Sequence, residues 1–165
     1  MTTREDVWEL MADQFLDTET RTWIPKTALA CVELGLTEEQ AFDVWAYEVT
    51  PAVWPNVWDI AGEWACWDRK WLVAEIRKKT PRKRSWLVYR AHVHGVHQSW
   101  ITIAACMRVL WRTPAAERRE LASTLEWLAS RYFDFCVSRA PTPRDAQTIY
   151  EETFLPIFRD PSASR

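Results

Sequence analysis

Thr37-Glu38-Glu39-Gln40-Ala41-Phe42-Asp43-Val44-Trp45-Ala46-Tyr47-Glu48-Val49 is the stretch whose reading decides the fold. It opens on a Thr-x-x-Gln capping box, in which the Thr hydroxyl and the Gln amide each satisfy a backbone N–H that a helix start leaves unpartnered. The spacing predicts a helix from Thr37 to about Val49, after which Pro51 and Pro55 are expected to force an extended connection. The same signals recur on both sides. Thr2 or Thr3 can cap a first helix with acids in its first turn; Val7, Leu10, Met11 and Phe15 share a face, and the helix ends near Leu16. Pro25 at a first-turn position opens a short helix that Gly35 closes.

Downstream, residues 56–65 read as irregular or short-helical. Asp68 suits the N-cap of a helix carrying Trp71, Leu72, Glu75 and Ile76, which runs out in the basic stretch Arg77-Lys78-Lys79-Thr80-Pro81-Arg82-Lys83-Arg84. A helix, kinked or weakened at Gly95, follows from Ser85 to Arg112. Thr113-Pro114-Ala115-Ala116-Glu117 signals a new start with Leu121, Leu125, Leu128, Tyr132 and Phe135 as its stripe, and Thr142-Pro143 opens a last helix ending near Pro156. The expectation is an all-α, single-domain bundle of about six helices over residues 1–165, with 77–84 a basic connector between its N-terminal and C-terminal halves.

Composition agrees. The 165 residues are 48% hydrophobic, ample for one core, and three glycines among nine prolines leave few tight hairpins but many helix boundaries. A net charge of -2 gives no global field for nucleic acid or an anionic membrane. Met1-Thr2-Thr3-Arg4-Glu5-Asp6 lacks the basic start and apolar stretch of a signal peptide, and Ser99 to Leu110 is too short to span a bilayer. Cys31, Cys66, Cys106 and Cys136, widely spaced, read as reduced, buried thiols. A cytoplasmic protein is expected, with no membrane association.

A weak internal repeat pairs Thr37, Ala41, Val44, Trp45, Val49, Pro51 and Val53 with Thr142, Ala146, Ile149, Tyr150, Phe154, Pro156 and Phe158. Either a helix pair is duplicated, or two amphipathic helices with similar caps look alike. All three histidines lie in His92-Val93-His94-Gly95-Val96-His97, but no single regular element collects them, so structural histidines are preferred to a metal set. The basic stretch, with Trp86 and Tyr89 beside it, could meet phosphates; a solvated connector is preferred, and nucleic acid is not the expected partner. Gly-rich phosphate loops and serine-hydrolase elbows are absent, and no cofactor or metal is expected.

The densest segment runs from Trp54 to Asp68 and on to Trp71, interleaving indoles with Asp59, Glu63 and Asp68. Trp64, Trp67 and Trp71 at helical spacing read first as a core stripe, with the acids as indole partners; the alternative is a pocket whose apolar walls raise a carboxylate pKa. Trp8, Trp45, Trp111 and Trp127 sit at or near apolar helix stripes.

Phe15-Leu16-Asp17-Thr18-Glu19, then Glu48-Val49-Thr50-Pro51-Ala52-Val53, Asn56 and Ala61-Gly62-Glu63-Trp64-Ala65-Cys66-Trp67-Asp68 with Trp71 form an ordered set. The set resembles an uncharacterised family of small bacterial proteins of unknown function. It covers about the first eighty residues and departs from the family pattern at Cys66, where a second glycine is usual. The resemblance implies no activity, but it directs attention to Asp17, Glu19, Asn56, Glu63 and Asp68. With Trp64 and Trp67 these make the candidate binding cluster, either as helix caps or as one cleft able to hold a metal or a cationic partner. The leading expectation is a protein-binding module of interaction or immunity type with a protein partner. The alternative is an enzyme using Asp17, Glu19, Glu63 and Asp68, with or without a metal.

Overall fold

Local capping chemistry sets the first helices of the computed structural model, which describes residues 2–16, 23–57, 66–79 and 97–126. Helix α1 (Arg4–Ala12) starts at a capping box in which Thr3 accepts from the Asp6 N–H and Asp6 accepts from the Thr3 N–H; a 3-10 turn, Asp13–Phe15, extends it. Helix α2 (Ile24–Glu33) carries Pro25 in its first turn. It ends at Gly35, the one positive-φ residue among those described, where Leu36 N–H donates to the Cys31 carbonyl and Gly35 N–H to that of Val32. A side chain at φ 76° would be strained, so glycine is required at this Schellman turn. Helix α3 (Glu38–Asp43) starts at the expected Thr37–Gln40 box.

The extended connection expected at Pro51 and Pro55 is not found; the chain stays helical. A π-helical turn, Val44–Val49, follows α3, and helix α4 (Thr50–Val57) continues from it. In the π turn Thr50 N–H reaches the Trp45 carbonyl, and the Thr50 hydroxyl donates to the same oxygen at 2.6 Å. Pro51 follows that wider turn in the first turn of α4, the part of a helix where a missing N–H is best tolerated. Pro55 likewise has no N–H for the Pro51 carbonyl. Lys79 Nζ donates to it instead, at 3.0 Å.

Helix α5 (Arg69–Lys79), helix α6 (His97–Arg112) and a helical run over residues 118–126 complete the all-α architecture, and no strand occurs among the described residues. Among the described residues the most extensive helix pair is α2 with α6, and each helix buries small residues, Ala28, Ala30 and Cys31 on one and Ala104, Ala105 and Cys106 on the other. Helix α1 packs on α2 and the π turn, and α5 packs on α4 and α1. The centre is aromatic: Trp45, fully buried, lies 6.1 Å from the Phe15 ring, 6.2 Å from Phe42 and 6.0 Å from Trp100. Its indole N–H has no hydrogen-bond partner among the described residues.

Charged side chains tie the helices at the surface. Arg69 of α5 pairs with Asp6 at 2.6 Å and with Glu9, Arg77 pairs with Glu5 at 2.7 Å, and Arg108 of α6 donates to Glu38 at 2.8 Å. Glu48 of the π turn accepts from Arg4 and, at 2.7 Å, from the Trp8 indole. Exposed pairs of this kind stabilise by about 0–1 kcal/mol each. Within the basic stretch, Arg77, Lys78 and Lys79 form the last turn of α5, where cations offset the helix dipole; residues 80–84 lie outside the described residues.

Candidate functional site

The C-terminus of α1 is where two segments of the ordered set meet. Helix ends leave carbonyls without N–H partners. Here the Leu10 carbonyl accepts from Thr27 Oγ at 3.3 Å and Gln14 Nε2 at 3.4 Å, and the Ala12 carbonyl accepts from the Trp67 indole N–H at 2.9 Å. Phe15 and Leu16, the start of the first segment, are buried immediately beyond. Trp67, from the end of the later segment, is thus fastened beside them.

Trp67 is buried and Trp71 is 39% exposed, their rings stacked at 5.8 Å with 12° between planes. The core stripe expected of Trp64, Trp67 and Trp71 therefore holds for Trp67 and fails for Trp71. Helix α5 begins only at Arg69, so the two indoles belong to different backbone segments and share no helical phase. Leu72 and Ile76 are the residues of α5 that enter the core. Asp68 acts as the expected cap: its carboxylate accepts from the Trp71 N–H at 2.7 Å and its carbonyl from the Leu72 N–H at 2.9 Å.

Trp67 and Asp68 are the members of the candidate cluster that the structure places. Asp17, Glu19, Glu63 and Trp64 lie outside the described residues, as does the side chain of Asn56, whose backbone is in the last turn of α4. His92 and His94 also lie outside them, and no group of His, Cys, Asp and Glu able to hold a metal occurs among the described residues. The residues that pair with Val44, Trp45 and their neighbours in the internal repeat are likewise outside.

Among the described acids, Asp13, which no sequence motif marks, has the most unusual setting. Burial, with the Glu9 carboxylate one turn away, pushes its carboxyl up to about 6. The spacing of two acids four apart before a buried aromatic was the available signal. Asp6 is opposite: the Arg69 guanidinium and the Thr3 cap hold it at about 2. The sign for Asp13 is that of a raised acid, which favours the folded state while protonated and lowers stability as pH rises from about 4 to about 6. Asp13→Asn is therefore expected to match the parent at pH 4 and exceed it above pH 6 by about 1 kcal/mol after allowance for its water-facing side, read from urea denaturation at both pH values.

Burial pushes the Cys31 and Cys106 thiols up to about 12, so both are inert, as expected. Cys66 departs from the expectation of a buried thiol and is exposed. Trp111, placed near an apolar stripe by its sequence neighbours, is 44% exposed at the end of α6, with the Arg118 guanidinium 5.3 Å above its ring. No helix among the described residues is long and apolar enough to cross a membrane.

Residues 2–116 match the family model described as a domain of unknown function, DUF7079, and the chain belongs to that family. The match reaches well beyond the eighty residues that carry the resemblance, taking in α6. No curated protein and no solved structure matches the chain.

Proposed function

We propose that this chain is a protein-interaction module in which Trp71 anchors a partner protein, an interaction or immunity-type role in the cytoplasm of a bacterium. The observation that carries the reading is the stack of exposed Trp71 on buried Trp67, itself fastened to the Ala12 carbonyl. An indole held this way loses little freedom on binding, and tryptophan is enriched among residues that dominate interfaces. The unpaired Cys31 and Cys106 suit a reducing compartment.

The test is affinity capture from host extract with the parent and with Trp71→Ala, followed by titration of the purified captured protein. Trp71→Ala is expected to keep the parent's circular dichroism and to weaken binding at least about tenfold. Equal capture and equal affinity would remove the proposal.

A second reading, an enzyme using Asp17, Glu19, Glu63 and Asp68, draws support from Asp13, an acid able to exchange a proton near neutral pH close to where the segments meet. The engagement of Asp68 in a cap weighs against it. Native mass spectrometry before and after chelation separates the metal-dependent form of this reading: a chelator-sensitive bound metal supports it, and an unchanged mass removes that form.

A further inference from the structure

The outward face of α5 carries no acid. From 3.6 residues per turn, Arg77, Lys70, Ala74, Lys78 and Trp71 occupy roughly 120° of its circumference, opposite Leu72 and Ile76. All five are exposed. Ala74 lies at the middle of the arc, a small residue between longer ones, so the face is a shallow saddle with the Trp71 ring along one side.

The cations on this face differ in what they already hold. Arg77 is turned to Glu5 of α1 at 2.7 Å. Lys78 Nζ stands 3.5 Å from Glu75, whose nearer partner is Lys79 at 2.9 Å. Lys70 makes no ion pair among the described residues. Glu75, the single carboxylate of α5, is thus drawn away from the face, while Glu5, Asp6 and Glu9 of α1 are taken up by Arg77 and Arg69. In a chain of net charge -2, one helix face is left with the opposite sign and a supported indole at its edge.

Resting on the interaction reading above, we infer that this face docks an acidic segment of the partner protein, whose carboxylates meet Lys70 and Lys78 while an apolar side chain lies between them on Ala74 and Trp71. Charge complementarity names the occupant: like charges across an interface are rejected, and opposite ones set register and speed encounter. A polynucleotide is disfavoured. Sequence-tolerant binding of a single strand uses several stacking rings and a run of cations along the backbone. Helix α5 is about 16 Å long at 1.5 Å per residue and offers one exposed indole, Lys70, and Lys78, which shares the one Glu75 carboxylate with Lys79.

Fluorescence anisotropy with a short labelled Glu/Leu peptide, its Lys/Leu counterpart and an oligo-dT strand tests this on the full chain. The Glu/Leu peptide is expected to bind the parent, to lose affinity at least about tenfold with Lys70→Glu/Lys78→Glu, and to lose it also with Trp71→Ala. The Lys/Leu peptide is expected to bind the charge-reversed variant better than the parent. Helical circular dichroism of the variants should match the parent, because Lys70 and Lys78 are exposed and Trp71 meets the core only through its stack on Trp67. Equal binding of the two peptides, or indifference to charge reversal, overturns the inference; so does tighter binding of oligo-dT through the same lysines. The capture experiment separates the two levels. Partner loss with Trp71→Ala but not with charge reversal leaves the interaction module standing and removes the acidic segment, whereas loss with neither removes both.

Discussion

Trp45→Ala is expected to lower folding stability by about 3–5 kcal/mol, and Trp45→Phe to stay within about 1 kcal/mol of the parent. The first figure is that of deleting a large aromatic from a site with no exposure, where Phe15, Phe42 and Trp100 close around the ring and cannot all move into the space. The second follows from the indole N–H. It is buried with no partner among the described residues, and an unsatisfied buried donor costs about 1–3 kcal/mol. Phenylalanine leaves a smaller void and removes that donor, so the two effects oppose each other. Urea denaturation of both variants checks the pair of values. A Phe variant as unstable as the Ala variant would show that the N–H is satisfied in solution.

Glu48→Ala is expected to cost about 2–3 kcal/mol, more than an exposed ion pair, because its carboxylate serves two donors at once. It accepts from the Arg4 guanidinium and from the part-buried Trp8 indole at 2.7 Å, joining α1 to the π turn. Removing it leaves the indole N–H without its acceptor. Glu48→Gln keeps an acceptor oxygen for Trp8 and loses only the charge toward Arg4, so it should cost about 1 kcal/mol or less. Thermal melts in low and high salt distinguish the two contributions: the charge-dependent part shrinks with salt, and the Trp8 part does not.

Features that depend on neighbouring residues were legible in the sequence. The Thr37–Gln40 box, Pro25, Gly35 and the Asp68 cap all stand where their chemistry places them, because a cap is satisfied within a few residues of itself. Pro51 and Pro55 were misread for the complementary reason. Whether a proline breaks a helix depends on where the orphaned carbonyl finds a donor; the carbonyl that Pro55 orphans is that of Pro51, and its donor is Lys79, far along the chain. Trp71 reads first as part of a core stripe and Trp111 as lying at or near one, yet both are exposed, because a stripe says which residues share a face and not where the neighbouring helix stops covering it. Of the candidate cluster, Trp67 and Asp68 have observed roles, one packed and one capping. Asp13 escaped notice because its pKa comes from burial, and burial is a property of the assembled fold.

The bond from Trp67 to Ala12 also bears on the order in which the chain can assemble. The start of α1 is secured by its own capping box, within reach as soon as Thr3 and Asp6 exist as chain. At its far end the Leu10 carbonyl is met by Gln14 and Thr27, and the Ala12 carbonyl by an indole 55 positions later. A nascent chain shorter than that can hold the first turn of α1 while its last turn frays, since closing so long a loop carries an entropic cost that local contacts do not. The last carbonyl of the first helix therefore draws its partner from the segment that also presents Trp71, so the same contact couples the end of α1 to the start of α5.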